Sequence, residues 1–314
     1  MKKEKSISNK IFVGVVCAVL VLYTVSIFIP IIWGLMTSLK SHYDFTIFGN
    51  KVGFPNLDAN AFGSSVNEFF RLANYAEVLE KATIHGEASF YIGDRLVTNT
   101  SDNGIGMLLV NTLLQSGLGA LLQAIVPAIM AYAVAKYRFA YSKVLYAVVI
   151  FVMIMPVVGN QPAEITMLRN LGVYDTYWGF FLQKFNFVGM YFLVFYAFFE
   201  SFSNAYLEAA EIDGASQVTQ LMKIVLPLSV KMISSVFVIQ FVHFWNDYNT
   251  SFLYMPTKTT LAYGVWFWNT NNQTFKSTVT RVASSMLLAV PILVMFVIFR
   301  DKLMGNMTMG GLKQ

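Results

Sequence analysis

The chain has 314 residues, of which 56% are hydrophobic and 12% charged, and its mean hydropathy is +0.56. So few charges cannot clothe an ordinary soluble surface, and the composition points to an integral membrane protein. The net charge of +5 comes from Lys and Arg scattered among apolar runs, with no basic stripe, which argues against a nucleic-acid partner; the lone Cys17 excludes an intrachain disulfide framework or a thiolate metal site.

A helix that crosses the bilayer core needs roughly 20 mostly apolar residues, and the sequence offers six such runs. The first, 11–36, follows the basic start MKKEKSISNK. Its apolar part is about twice the usual length of a signal-peptide core and no Ala-x-Ala site follows, so it reads as a retained span. The segment 41–106 is polar, Gly-bearing and dotted with aromatics, with an amphipathic run near 66–82. After it, TIHGEASFYIGDRLVTN alternates around turn residues and predicts a small hairpin. The segment is too small to be a catalytic domain with its own core. An extracytoplasmic elaboration that meets a partner is one reading of it, and a passive loop the other.

The remaining runs are 107–135, 139–158, 180–199, 228–245 and 282–299. Within the second, Ala120, Ala124, Ala128, Ala131 and Ala135 recur at helical spacing, a ridge of small residues that predicts close helix packing inside a bundle. Pro30, Pro127, Pro156 and Pro291 fall inside runs and predict kinks, since neighbouring groups can recover the missing backbone bonds. With an even number of spans both termini share one side. Lys2, Lys3, Lys5 and Lys10 precede the first run, Lys136, Arg138 and Lys143 join the second to the third, and Arg300, Lys302 and Lys313 follow the sixth, so that side is expected to be the cytoplasm.

On the same side lies YLEAAEIDGASQVTQLMKIVLP, which starts at Tyr206. Glu208, Glu211 and Asp213 lie in a short helical stretch that Gly214 can stop, because glycine accepts a left-handed backbone. Beyond it Val218, Leu221, Met222 and Val225 recur at helical spacing and predict a second helix running to Pro227. The result would be a helix-turn-helix at the membrane face, either a docking knob for a basic groove or an ordinary polar interface loop.

Polar groups inside or at the edges of spans are costly unless satisfied or facing water. Here they include Gln123, Lys184 and Asn186, and the candidates for a translocation path are Asn111, Gln115, Gln240, His243, Asn246 and Asp247. For Gln240 and His243, helix-to-helix hydrogen bonding is the competing role. His42, His85 and His243 have no metal-ligand spacing, and no metal site is expected.

Glu208, Ala209, Ala210 and Gly214, followed by Ile224, Leu226 and Pro227, with Asp213 and Ala215 flanking the glycine, resemble the Glu-Ala-Ala signature of binding-protein-dependent ABC importer permeases. Further stretches are similar to the carbohydrate-uptake branch, the maltose-permease G-subunit type. They are SLK at Ser38, NYAEVL at Asn74, AYAVAKYRF at Ala131, LRNLGVYDTYWG at Leu168, WNDY at Trp245, TLAYG at Thr260 and the tail GNMTMGGLK. The chain departs from that pattern at 81–104, a stretch that is usually much shorter.

The resemblance implies an all-α polytopic membrane protein with about six transmembrane helices and the type I importer permease fold. It divides the chain into 1–40, a cytoplasmic segment with the first span; 41–106, an extracytoplasmic loop or small subdomain; and 107–314, the core permease domain with a coupling loop at 200–227. It also implies half of a translocation pore in a bacterial cell membrane, with both termini cytoplasmic. The expected partners are a homologous second permease subunit, an ABC ATPase dimer, an extracytoplasmic solute-binding protein, a sugar or oligosaccharide and the lipid bilayer. No cofactor is expected in this chain. ATP and Mg²⁺ would be bound by the ATPase, consistent with the absence of a Gly-x4-Gly-Lys-Ser/Thr loop here. A non-sugar solute is the nearest alternative, and an ion-coupled secondary carrier a more distant one, because the spans are nearly free of charge in their middles. An intramembrane enzyme is disfavoured by the lack of His-Glu-x-x-His and Gly-x-Ser-x-Gly motifs.

Overall fold

The structure is a computed structural model that describes residues 7–56, 70–137, 139–155, 158–271 and 274–307. Lys2, Lys3, Lys5, Arg138, Pro156, Lys313, the start of the amphipathic run at 66–69 and the tail from 308 lie outside the described residues. The chain begins with α1 (Ile7–Ser38), a π-type turn α2 (Tyr43–Ile47) and α3 (Ala73–Lys81), then a hairpin of β1 (Thr83–Ile92) and β2 (Arg95–Gly104). There follow α4 (Ile105–Lys136), α5 (Ser142–Ile154), α6 (Gln161–Asn170), α7 (Tyr177–Lys184), α8 (Met190–Glu200), α9 (Ala205–Ile212) and α10 (Gln217–Gln220). The last elements are α11 (Leu226–Trp245), α12 (Asn249–Leu253), α13 (Leu261–Thr270) and α14 (Thr278–Met307).

Among the described residues four helical runs are long and apolar enough to cross a membrane: Lys10–Ser38, Ile105–Lys136, Gln217–Trp245 and Thr278–Met295. They correspond to the first, second, fifth and sixth runs of the sequence, and Pro30, Pro127 and Pro291 sit inside unbroken helices. The third and fourth runs fold differently from what hydropathy predicts. The third gives only the 13 residues of α5, about 20 Å of helix against a hydrocarbon core of about 30 Å. It ends because Met155 turns extended (ψ 119), as a residue before a proline is driven to do. The run at 180–199 is not one helix: α7 stops at Lys184 and α8 begins at Met190. Between them the Asn186 side-chain oxygen accepts the Val188 N–H at 2.9 Å, a local turn that competes with helix continuation.

The predicted stop at Pro227 is also corrected. α10 passes through a π-type turn, Leu221–Val225, straight into α11, with the Leu226 N–H reaching Leu221 O. Proline has no N–H to return and its ring crowds the carbonyl four residues back. The wider turn just before Pro227 relieves that crowding, so the helix continues.

Contacts divide the chain into two compact units, Met1–Ala82 with Phe267–Val290, and Thr83–Trp266 with Pro291–Gln314. The predicted segment 41–106 is therefore shared, α3 belonging to the first unit and the hairpin to the second. In the first unit most apolar side chains of α1 from Ile11 to Ile32 are exposed among the described residues. Its far end is held by polar groups: Asn74 donates to Ser38 O and Lys40 O, both at 2.7 Å, and Lys40 Nζ donates to Asn50 O at 2.6 Å. Burial pushes the Lys40 ammonium below its ordinary pKa, with the nearby Asp44 carboxylate opposing the shift.

The second unit is organised around α4, which lies against α11 and α8. The small-residue ridge does what the sequence predicts: Ala120, Ala124, Ala128 and Ala131 are buried, and the last three meet Phe192, Phe195 and Phe199 of α8 in one core. At the other end of α4 the hairpin pairs Thr83 with Gly104 through to Ile92 with Arg95, turning at Gly93 with φ +59. Its strands alternate, so Ile84, Gly86, Ala88 and Phe90 face inward while His85, Glu87, Ser89 and Tyr91 face out. Ala88 and Phe90 join Leu168, Tyr174, Phe180, Tyr254 and Met255 in a second core. Gly86 is required there, because a Cβ would lie 2.3 Å from Pro256 O.

Candidate functional site

The stretch from Glu200 to Pro227 forms a capped elbow at the C-terminal end of α4. α9 closes with the Ala215 N–H on Ala210 O at 2.9 Å and the Gly214 N–H on Glu211 O at 3.0 Å. Those two bonds are the Schellman pattern, which demands a left-handed residue just past the helix. Gly214 supplies it with φ +76. Ser216 then starts α10 by accepting the Thr219 N–H, and the buried Gln220 side chain donates back to Ala215 O at 3.2 Å. Ala210, Glu211, Gly214 and Ala215 are thus the parts of one capped turn, and Glu208 lies in the first turn of the helix it closes.

The candidate residues divide between scaffold and surface. Ala210 is buried, Ala215 is half-buried inside the turn, and Ile224 and Leu226 are half-buried where α11 begins. Glu208, Ala209, Asp213, Gly214 and Pro227 are exposed. Ile212, beside them, is 86% exposed, and Tyr206, Val218 and Met222 are exposed as well. Among the described residues no ion pair engages Glu208, Glu211 or Asp213. An elbow with three solvated carboxylates around a bare isoleucine presents what a basic, partly apolar groove would take.

The elbow is tied to the bundle by a residue that the sequence marks as a topological charge and as part of AYAVAKYRF. Lys136 Nζ donates to Phe202 O at 2.6 Å and to Asn204 Oδ1 at 2.8 Å. Tyr137 Oη donates to Gln217 O at 3.4 Å, and Leu207 of α9 packs on the α4–α8 core.

The translocation candidates are scattered. Asn111 and Gln115 are buried on α4 and donate to Thr259 O at 3.0 Å and Lys258 O at 2.7 Å; Asn111 Oδ1 also accepts from Tyr177 Oη. Gln240 is buried on α11 and His243, one turn on, is exposed. Asn246 bonds to its own helix at Val242 O, and Asp247 accepts the N–H groups of Asn249 and Thr250 at the start of α12. The Lys184 ammonium lies over the Phe180 and Phe244 rings and 3.5 Å from Thr250 Oγ1, which in turn bonds to Asp247.

Sequence reasoning missed a polar clamp around Asp175. Asp175 is fully buried and is the one non-glycine with positive φ (58) among the described residues. Its carboxylate accepts from Thr257 N, Thr257 Oγ1 and Asn99 Nδ2, while Lys258 Nζ donates to its carbonyl at 2.7 Å. Ser101 and Asn103 of the hairpin donate to Thr257 O. Close by, Tyr254 Oη donates to Glu164 Oε2 at 2.8 Å. Burial, and after it this carboxylate, raise the Tyr254 phenol above its ordinary pKa. Only the positive φ and long-range partners reveal the clamp, and neither is a pattern in sequence.

Residues 123–300, more than half of the chain, match the model of a family described as binding-protein-dependent transport system inner membrane component. The chain is 23% identical to the diacetylchitobiose uptake system permease protein NgcG of Streptomyces coelicolor, over 96% of this chain and 90% of that protein. It is 25% identical to the trehalose transport system permease protein SugB of Mycobacterium tuberculosis, over 74% and 82%. Its fold is similar to that of a chain in the crystal structure of a bacterial ABC transporter involved in the import of the acidic polysaccharide alginate, with a TM-score of 0.68 at 21% identity, covering 96% of this chain and 99% of that one.

Proposed function

Because the chain belongs to the binding-protein-dependent transport system inner membrane components, we propose that it is one permease subunit of an ATP-driven importer of sugars or oligosaccharides, and that a separate ATPase docks on α9. The observation that carries this reading is the exposed elbow itself, with Glu208, Asp213 and Ile212 displayed on a turn that Gly214 locks. A stiff, capped helix transmits displacement where a flexible loop would absorb it. Sugar is favoured as cargo by the relatives, whose names assign them diacetylchitobiose and trehalose.

In this reading both termini and α9 face the cytoplasm, and the hairpin faces the compartment where a solute-binding protein delivers cargo. A homologous permease completes the pore, and ATP with Mg²⁺ belongs to the ATPase dimer. Nucleotide biases the elbow from one side and the loaded binding protein biases the hairpin end from the other; coupling is the free energy that links those two biases. Asn111, Gln115, Gln240, His243, Asn246 and Asp247 are the polar groups proposed to line or shape the path. The test is reconstitution of the complete transporter in liposomes. Glu208→Ala and Gly214→Val are expected to leave the permease inserted but to weaken ATPase attachment and ATP-driven uptake. Unchanged attachment and uptake in both variants overturn the reading.

A further inference from the structure

α4 carries a polar fastening at each end. At its N-terminal end Asn111 and Gln115 hold the backbone of Thr259 and Lys258, and Thr112 Oγ1 accepts the Leu261 N–H at 2.8 Å. The same loop is gripped from the hairpin side by Ser101 and Asn103 on Thr257 O, and by Asp175. At the C-terminal end Lys136 and Tyr137 reach acceptors at Phe202, Asn204 and Gln217, which bracket α9 on both sides. Both fastenings sit on one unbroken helix of 32 residues, and the stretch from Asn111 to Lys136 is a rod about 38 Å long.

We propose that Lys136 is a positioning residue that joins α4 to the α9 elbow as one mechanical element, so that a displacement at the hairpin end reaches the ATPase-docking face. This rests on the function proposed above. Two features make Lys136 the joint. Its partners Phe202 and Asn204 stand outside α9 and lie 66 and 68 positions away, so no covalent continuity could substitute for the bond. Beside it opens a cavity of about 690 Å³ bordered by Lys136, Lys143, Tyr196, Glu200, Phe202 and Asn204, so side-chain packing does not fill the space next to it. One ammonium shared by two acceptors is a point charge whose two charge-assisted bonds fix the position of the chain that enters α9. Leu207 and Ala210 anchor the inner face of α9, and Lys136 fixes where the chain enters it.

The experiment uses the complete transporter in lipid nanodiscs with its second permease, ATPase and solute-loaded binding protein. Three quantities are read: affinity for the ATPase, basal ATP hydrolysis, and the stimulation of hydrolysis by the loaded binding protein. Lys136→Met is expected to keep the ATPase attached and basal hydrolysis intact while stimulation falls by about tenfold, the scale of a lost charge-assisted hydrogen bond. Lys136→Arg should restore most of it, because a guanidinium can serve both acceptors. Asn204→Leu, at an exposed position, should reproduce part of the loss, and adding it to Lys136→Met should cost little more, as expected for partners in one interaction. Full stimulation in Lys136→Met, or equal loss in the Met and Arg variants, overturns the proposal. Glu208→Ala separates the two readings. If it detaches the ATPase while Lys136→Met changes nothing, the joint alone is wrong; if both are silent, the docking reading fails with it.

Discussion

Replacing Gly214 isolates the backbone's share in docking. Its φ is +76, yet a Cβ built there meets nothing within 4 Å. An alanine therefore clashes with no neighbour, and its penalty is the left-handed conformation itself, roughly 1–2 kcal/mol. α9 is short and exposed, so it can shed that strain by releasing the Ala215-to-Ala210 and Gly214-to-Glu211 bonds and unwinding its last turn. An ATPase that binds only the closed elbow must then supply that energy, which weakens its affinity about 5–30-fold. Asparagine visits the left-handed region readily and should fall between glycine and alanine, whereas valine, branched at Cβ, should be worst. The assay is titration of purified ATPase onto the permease pair in nanodiscs. The order Gly, Asn, Ala, Val in affinity is expected, with thermal stability of the bundle unchanged. Equal affinities across the series would refute the claim that the capped turn is what docks.

Gly86→Ala reverses the physics, since φ is ordinary and the Cβ would lie 2.3 Å from Pro256 O and 2.8 Å from Thr257 Cα. Overpacking of roughly 1–3 kcal/mol should lift the hairpin and speed amide exchange across Thr83–Gly104, leaving ATPase affinity unchanged. Asp175→Ala leaves the Thr257 N–H, the Thr257 hydroxyl and the Asn99 amide without their acceptor. The expected loss is roughly 1.5–3 kcal/mol, read as a lower unfolding midpoint in detergent, and Asp175→Asn should lose less. Glu208→Gln and Asp213→Asn remove solvated charges, so their effect on ATPase affinity should be clear in dilute buffer and fade as salt screens it.

Hydropathy located the apolar runs, since a 32-residue helix such as Ile105–Lys136 leaves an unmistakable record. It passed over the break at Asn186, because the phenylalanines around Gln183, Lys184 and Asn186 keep the run apolar on average, while one side-chain oxygen bonded to the Val188 N–H interrupts the helix. Nor could spacing foresee that Pro227 would be carried through by a π-type turn, since proline ordinarily ends a helix. The alternation in 83–99 gave the hairpin, because one face of it is buried. In the elbow, Gly214 was legible as a stop because the requirement is local. Lys136 and Asp175 were not, as a lysine at a helix end and an aspartate in a loop look ordinary until partners 66 to 83 positions away are in place.

The central claim is that α9 faces the cytoplasm and is covered by an ATPase. With the single native cysteine removed as Cys17→Ser, Ile212→Cys places a thiol at a site 86% exposed in this chain. A membrane-impermeant maleimide should label it in inside-out vesicles, not in right-side-out ones, and bound ATPase should slow the labelling. Labelling from the outer side, or a rate indifferent to the ATPase, would contradict the account.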